Sequence, residues 1–227
     1  MEKRFKMNLQ IDRVKEKMEA ELSCSAHSID HVMRVYNLCK SISETEHQVN
    51  MNVLEPAALL HDIARTIESN DQTGECDHAV LGSEMAKDLL VELEYPLHVI
   101  EEIQHCIKTH RFRTGNEPQT IEAKILFDAD KLDAIGSVGI ARTFMLAGQF
   151  GQKIATSSSQ EYTQSNTVDN GRIKDLSKHS PMTEYELKLK RIPDKVYTQK
   201  GKEIGESRID YMEQFFLRLN KELEGEF

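Results

Sequence analysis

The run ALLHDIAR, residues 58–65, sets His61 and Asp62 side by side among apolar neighbours. An ionised carboxylate withdrawn from water costs about several kcal/mol unless a cation or a set of hydrogen bonds compensates it. Asp62 therefore needs a partner: an arginine, a buried polar network or a metal ion. Other stretches put ligand-competent groups on apolar helix sides. His31 shares a stripe with Val35, Leu38 and Ile42 in HVMRVYNLCKSI. His78 lies with Leu81, Met85 and Leu89 in HAVLGSEMAKDLLVEL, and His110 with Ile100, Ile103 and Ile107 in LHVIEEIQHCIKTH. Asp130 shares one side with Leu126 and Asp133 in IEAKILFDADKLDAIG. An inward polar group that meets nothing destabilises by ~1–3 kcal/mol, so these groups are expected to meet one another.

The donor types narrow what they would hold. Histidines with carboxylates and no thiolate suit Mn, Fe, Co, Ni or Zn, with Mg still admissible, whereas Ca and Mg prefer oxygen-rich sets. Three or four protein ligands on an octahedral ion leave places for water and substrate, which is a catalytic rather than a structural arrangement.

The elements that must position these groups read as helices. NVLEPAALLHDIAR is a short helix with Pro56 accommodated in its first turn. TIESNDQTGECD is a loop, and Asp77 at its end can cap the helix beginning at His78. IEAKILFDADKLDAIGSVGIARTFML is one long helix, or a pair broken near Gly136 and Gly139. No β-alternating run of useful length and no internal repeat occurs, so the expected fold is all-α. Residues 20–150 form the expected helical core. The Ser/Thr/Gln/Asn/Gly-rich segment 151–181 reads as a flexible excursion or lid, and 182–227 as C-terminal helices that pack on the core within one domain. Ile209, Met212, Phe215, Phe216 and Leu219 supply the apolar side of the last helix, which leaves a homodimer open.

Bulk properties limit the partners. The 227 residues carry a formal charge of −9 and a pI near 5.5, which argues against a broad nucleic-acid face. The N-terminal MEKRFKMNLQ lacks an apolar leader core, and no apolar run reaches the ~18–20 residues of a membrane span. Cys24, Cys39, Cys76 and Cys106 form no CxxC pair and read as reduced thiols of a cytoplasmic protein.

SIDHVMRVYNL, AALLHDIAR and ILFDADKLDAIGSVGIARTF together resemble the H…HD…D signature of the HD-domain superfamily of metal-dependent phosphohydrolases. The likeness is to its small stand-alone members. DADKLDAIG, GIARTF and TQKGKEIGESRIDYMEQF carry it, over roughly residues 20–220. It implies an HD-domain helical bundle with a helical C-terminal extension and a divalent metal on His31, His61, Asp62 and Asp130. His78 and His110 match positions that hold a second metal in binuclear members and face the substrate phosphate in mononuclear ones. Arg34 and Lys131 would offset phosphoryl charge, and Asp133 would fix a ligand histidine or Lys131. Some members carry an acidic general base where this chain has Arg65.

The implied activity is cleavage of a phosphate ester of a small molecule, a nucleotide among the candidates, by a metal-activated water that Asp62 orients and whose proton it could take. Two other classes stand beside it: a non-catalytic nucleotide-binding regulatory module, and a di-iron oxygenase. His27, four residues before His31, reads as lying outside the ligand set. His105 is set about 200° from Ile103 on its helix and is expected to face solvent, as are His47, His98 and His179. Replacing His105 by Ala should therefore leave turnover within about twofold; a large loss in a steady-state assay would show the helix phase to be wrong.

Overall fold

The computed structural model describes residues 2–22, 26–111, 116–156, 162 and 173–226. Among the described residues the regular structure is helical, with no β-sheet, and no helix is long and apolar enough to cross a membrane. The chain divides into residues 1–130 and 131–227.

In the first unit, α1 (Glu2–Leu22), α2 (Ala26–Ser43), α3 (Met51–Leu60), α4 (Arg65–Asn70), α5 (His78–Glu92), α6 (Leu97–Thr109) and the start of α7 (Ile121–Asp133) follow one another. The centre is α3, which lies against α1, α2 and α6. Its sequence explains this: Val53, Leu54 and the unbroken apolar run 56–60 are all buried, and only exposed Asn52 and half-buried Glu55 near its start give it a polar side. Asn50 caps it, accepting from the Asn52 N–H at 3.2 Å, while Glu122 of α7 accepts the Asn50 N–H at 2.7 Å.

Three expectations change here. Helix α3 starts at Met51, so Pro56 falls in the second turn, not the first. The helix also stops at Leu60; His61–Ala64 form a tight turn before α4 begins. In that turn the Ile63 N–H donates to the Leu60 carbonyl and the Arg65 N–H to that of Asp62, at 3.1 and 2.8 Å. The stretch read as a loop is helical as far as Asn70. Only 71–77 is irregular, organised by Asp71, whose carboxylate accepts from the Thr73 and Cys76 N–H groups.

The cap at Asp77 is present, accepting from the Ala79 N–H at 2.8 Å. The inward side of α5 is centred between the expected stripe and its neighbour. Ala79, Gly82, Ser83 and Ala86 are buried with His78 and Leu89, while Leu81 and Met85 lie half out. Small residues on that side let α5 come close to α6, and Gln104 of α6 donates to the Ser83 carbonyl at 3.0 Å. On α6 the aligned set Ile100, Ile103, Ile107 and His110 is buried as expected.

The second unit contains α8 (Gly136–Gln149), α9 (Pro181–Leu187), α10 (Gln199–Leu223) and short 3₁₀ turns at Leu176–Lys178, Leu189–Arg191 and Pro193–Lys195. Helix α10 buries Met212 and Phe216. Phe216 stacks on Tyr185 at 4.7 Å and meets Phe144 of α8 at 6.4 Å between ring centroids. Of the expected excursion 151–181, residues 157–161 and 163–172 lie outside the described residues, as does the side chain of His27.

The helix pair α7/α8 is separated at Ala134–Ile135, and Gly136 has φ +77°. The Arg208 stem passes directly over it: a Cβ at Gly136 would lie 2.9 Å from Arg208 Cγ. Arg208 in turn donates to the Leu132 carbonyl at 2.5 Å, closing the end of α7. Gly136→Ala combines a left-handed backbone with this overlap. It should lower the unfolding free energy by about 1–3 kcal/mol in denaturant titrations; an unchanged midpoint would contradict the account.

Candidate metal centre

Separate pieces of backbone deliver side chains to one buried cluster. His31 comes from α2, His61 and Asp62 from the turn after α3, His78 from the first position of α5 and His110 from the end of α6. All are nine-tenths buried or more. The Asp62 carboxylate divides between two histidine pairs. Its Oδ2 lies 3.6 Å from His31 Nε2 and 3.9 Å from His61 Nε2. Its Oδ1 lies 3.3 Å from His78 Nε2 and 3.7 Å from His110 Nε2. The result is two ligand triads that share one residue, His31–His61–Asp62 and Asp62–His78–His110. Asp130 of α7 joins on the first side, with Oδ1 3.3 Å from His31 Nε2.

Hydrogen bonds fix which imidazole nitrogen points inward. His61 Nδ1 is 2.8 Å from the Ala58 carbonyl oxygen and His110 Nδ1 2.6 Å from that of Ile107. His78 Nδ1 is 2.8 Å from Glu68 Oε2. The carbonyls beside His61 and His110 only accept, and at His78 the Glu68 oxygen at 2.8 Å is closer than Arg65 Nη1 at 3.2 Å, so the proton of each ring is assigned to Nδ1 and Nε2 carries a lone pair. His78 Nε2 and His110 Nε2 then face each other at 3.2 Å, and His61 Nε2 and His31 Nε2 at 3.3 Å. Such nitrogens beside a carboxylate oxygen suit something positive among them. A proton serves one contact, whereas a divalent cation satisfies a whole triad, and neutral imidazole with carboxylate is a donor set that transition cations accept.

The electrostatics agree. Burial holds the His61 imidazole down at about 4, with Asp62 pulling the other way, so this ring is neutral at pH 7. Burial likewise lowers His78. Burial pushes the Asp62 carboxyl up, but the imidazoles of His61, His110 and His31 outweigh it and keep the group well below the usual carboxylate range. Glu68 is also held low: His78, Arg65 and Arg111 overcome its burial.

The remaining candidates fall as follows. Arg34 is half-buried on α2, one turn after His31. Lys131 and Asp133 belong to the second unit, where buried Asp133 accepts from Arg142 Nη1 at 2.9 Å. His47 and His98 are exposed as expected. His105 is not fully solvated: it is half-buried and accepts the Gln119 N–H at 3.1 Å. His179 is a clear correction. It is buried between the Tyr162 hydroxyl at 2.7 Å and Glu184 at 2.9 Å, because the Ser-Pro start of α9 turns Glu184 back over it. Sequence reasoning missed Glu68 and Arg111. The i, i+3 pairing of Arg65 with Glu68 was the available sign, hidden by reading 66–77 as loop.

The family model of the HD domain matches residues 28–135, the segment that carries all six cluster residues. YpgQ of Bacillus subtilis is 31% identical over 205 residues, covering 88% of this chain and 86% of YpgQ. The chain belongs to the HD-domain superfamily. Solved HD structures resemble it along nearly its whole length. An HD-superfamily hydrolase from Bacillus thuringiensis matches with a TM-score of 0.71 at 28% identity, covering 96% of this chain and 98% of that one. The crystal structure of Bacillus subtilis YpgQ in complex with ADP matches with a TM-score of 0.70 at 27% identity, covering 96% of each. The all-α HD fold with C-terminal helices is thus shared with small stand-alone HD proteins.

Buried neutral imidazoles link the cluster to pH. An unfolded His61 titrates near its ordinary 6.5, while the folded one stays neutral down to about 4. Between those values the unfolded chain binds more protons, so stability falls as pH falls. His78 acts in the same direction. Thermal melts of chelator-treated protein should shift downward from about pH 7 to about pH 5; a melting temperature constant over that range would contradict the assignment.

Proposed function

We propose that this HD protein is a divalent-cation-dependent phosphohydrolase acting on a small phosphorylated molecule of the nucleotide class. The observation that carries the reading is the division of Asp62, one carboxylate oxygen toward each histidine pair. His31, His61, Asp62 and Asp130 would hold one cation, and Asp62, His78 and His110 a second. The ADP complex of YpgQ supports the substrate class.

When bound, the cations supply Lewis acidity, which stabilises phosphoryl charge and makes water acidic enough to attack near neutral pH. The chain's own residues supply the rest. Neutral His61 and His78 present lone pairs without first losing a proton. Asp62 remains ionised across the working range, so it orients and compensates charge. Arg34, close to His31 in sequence and on the same helix, would meet phosphoryl oxygens, as would Lys131, which follows Asp130 in the chain. Asp133 would hold Arg142 in place. Cleavage of the ester bond then gives phosphate and an alcohol or nucleoside.

A second reading follows from the same two triads, since histidines and carboxylates around paired ions also suit di-iron oxygen chemistry. Reconstitution separates them. The apoprotein should release phosphate from one or more nucleotides when Mn, Co, Ni or Mg is returned, and consume no oxygen with Fe(II). Asp62→Ala should lower kcat/KM by about 10³-fold or more and remove metal uptake while helical circular dichroism survives. Oxygen uptake without phosphate release, or full turnover in Asp62→Ala, would overturn the proposal.

A further inference from the structure

His78 differs from the other ligand histidines in how its ring is held. His61 and His110 each follow a helical turn, and each donates Nδ1–H to the carbonyl three residues back, Ala58 or Ile107. His78 is the first residue of α5, so no helical turn precedes it. Its acceptor comes instead from another helix: Glu68 of α4, with Oε2 at 2.8 Å from Nδ1, closer than the Arg65 Nη1 donor, which lies 3.2 Å from the same nitrogen.

That carboxylate is itself fixed at both oxygens. Oε2 accepts from Arg65 Nη1 at 2.5 Å and Oε1 from Arg111 Nη1 at 2.6 Å. Arg111 also pairs with Asp77 at 3.2 Å, the residue that caps α5 immediately before His78. The Glu68 side chain is only 9% exposed. Two guanidiniums therefore keep this carboxylate from rotating and from leaving His78.

The structure assigns to Glu68 the role of a positioning residue: it selects the Nδ1–H tautomer of His78 and aims the Nε2 lone pair at the second triad, 3.3 Å from Asp62 Oδ1. This rests on the two-cation reading above. A carboxylate is a stronger acceptor than the backbone carbonyls serving His61 and His110, so it also makes His78 the more basic ligand. The acidic residue absent at position 65 is thus not replaced as a base, because Glu68 acts behind the ligand and not at the substrate.

The test uses the full-length chain and Co(II) as probe, with no dependence on turnover. In ¹⁵N-histidine spectra of the apoprotein, the signals lost in His78→Gln should report an Nδ1–H ring. Glu68→Ala should convert them to a mixture of tautomers, and Glu68→Gln, which keeps an acceptor oxygen of the same shape, should restore most of the preference. In Co(II) titrations followed by visible absorption, Glu68→Ala should weaken the second equivalent by about 10–100-fold and leave the first nearly unchanged, with Glu68→Gln between. Wild-type tautomer and affinities in Glu68→Ala would overturn the role. Equal loss of both equivalents would also overturn it, showing Glu68 to act on the fold as a whole. If wild type takes up a single equivalent, the two-cation reading fails and this inference with it, an outcome distinct from two equivalents that Glu68 does not affect.

Discussion

Everything in the first unit turns on one buried carboxylate. Asp62 is surrounded by four imidazoles, which hold its carboxyl below the usual range although burial pushes it up. Three of those rings, His61, His78 and His110, set Nδ1 against a carbonyl or Glu68, which turns their Nε2 atoms toward the cluster. Charge, imidazole nitrogens and low solvent exposure together fit a cation site. Helix α3 makes this feasible. Its last five residues, 56–60, are apolar and buried, so its end lies deep in the unit, and the residues of the next turn emerge where α2, α5, α6 and α7 can reach them.

Orientation in this cluster comes from two devices. Where a histidine ends a helical turn, the backbone three residues earlier supplies the acceptor at no cost in side chains. Where a histidine begins a helix, no such carbonyl exists and a carboxylate must be brought from elsewhere, with arginines to restrain it. The Glu68–Arg65–Arg111 group follows from the placement of His78, and it explains why charged residues gather around a helix start that already has Asp77 as its cap.

The sequence made the ligand set legible because helical spacing put each polar group among apolar ones: His31 with Val35 and Ile42, His110 with Ile103 and Ile107. The break near Gly136 was likewise readable, since a left-handed backbone favours glycine. Other features were not accessible to periodicity. The stripe on α5 is set by the small residues Ala79, Gly82 and Ser83, which let a neighbouring helix approach, and apolar side-chain size alone pointed to Leu81 and Met85 instead. His179 looked solvated because its partners, Tyr162 and Glu184, meet it through the turn into α9. Glu68 was hidden by polar neighbours that resemble a loop yet form a helix stopping at Asn70. The sharing of Asp62 between two triads is a property of side-chain geometry that spacing cannot express.

The most direct measurement is an anomalous-difference map from crystals of this protein grown with Mn(II). The account predicts two peaks flanking Asp62, one reached by His31 and His61 and the other by His78 and His110. Density on neither side of that carboxylate, or a Mn(II) ion bound only at a place remote from it, would contradict the account at its centre.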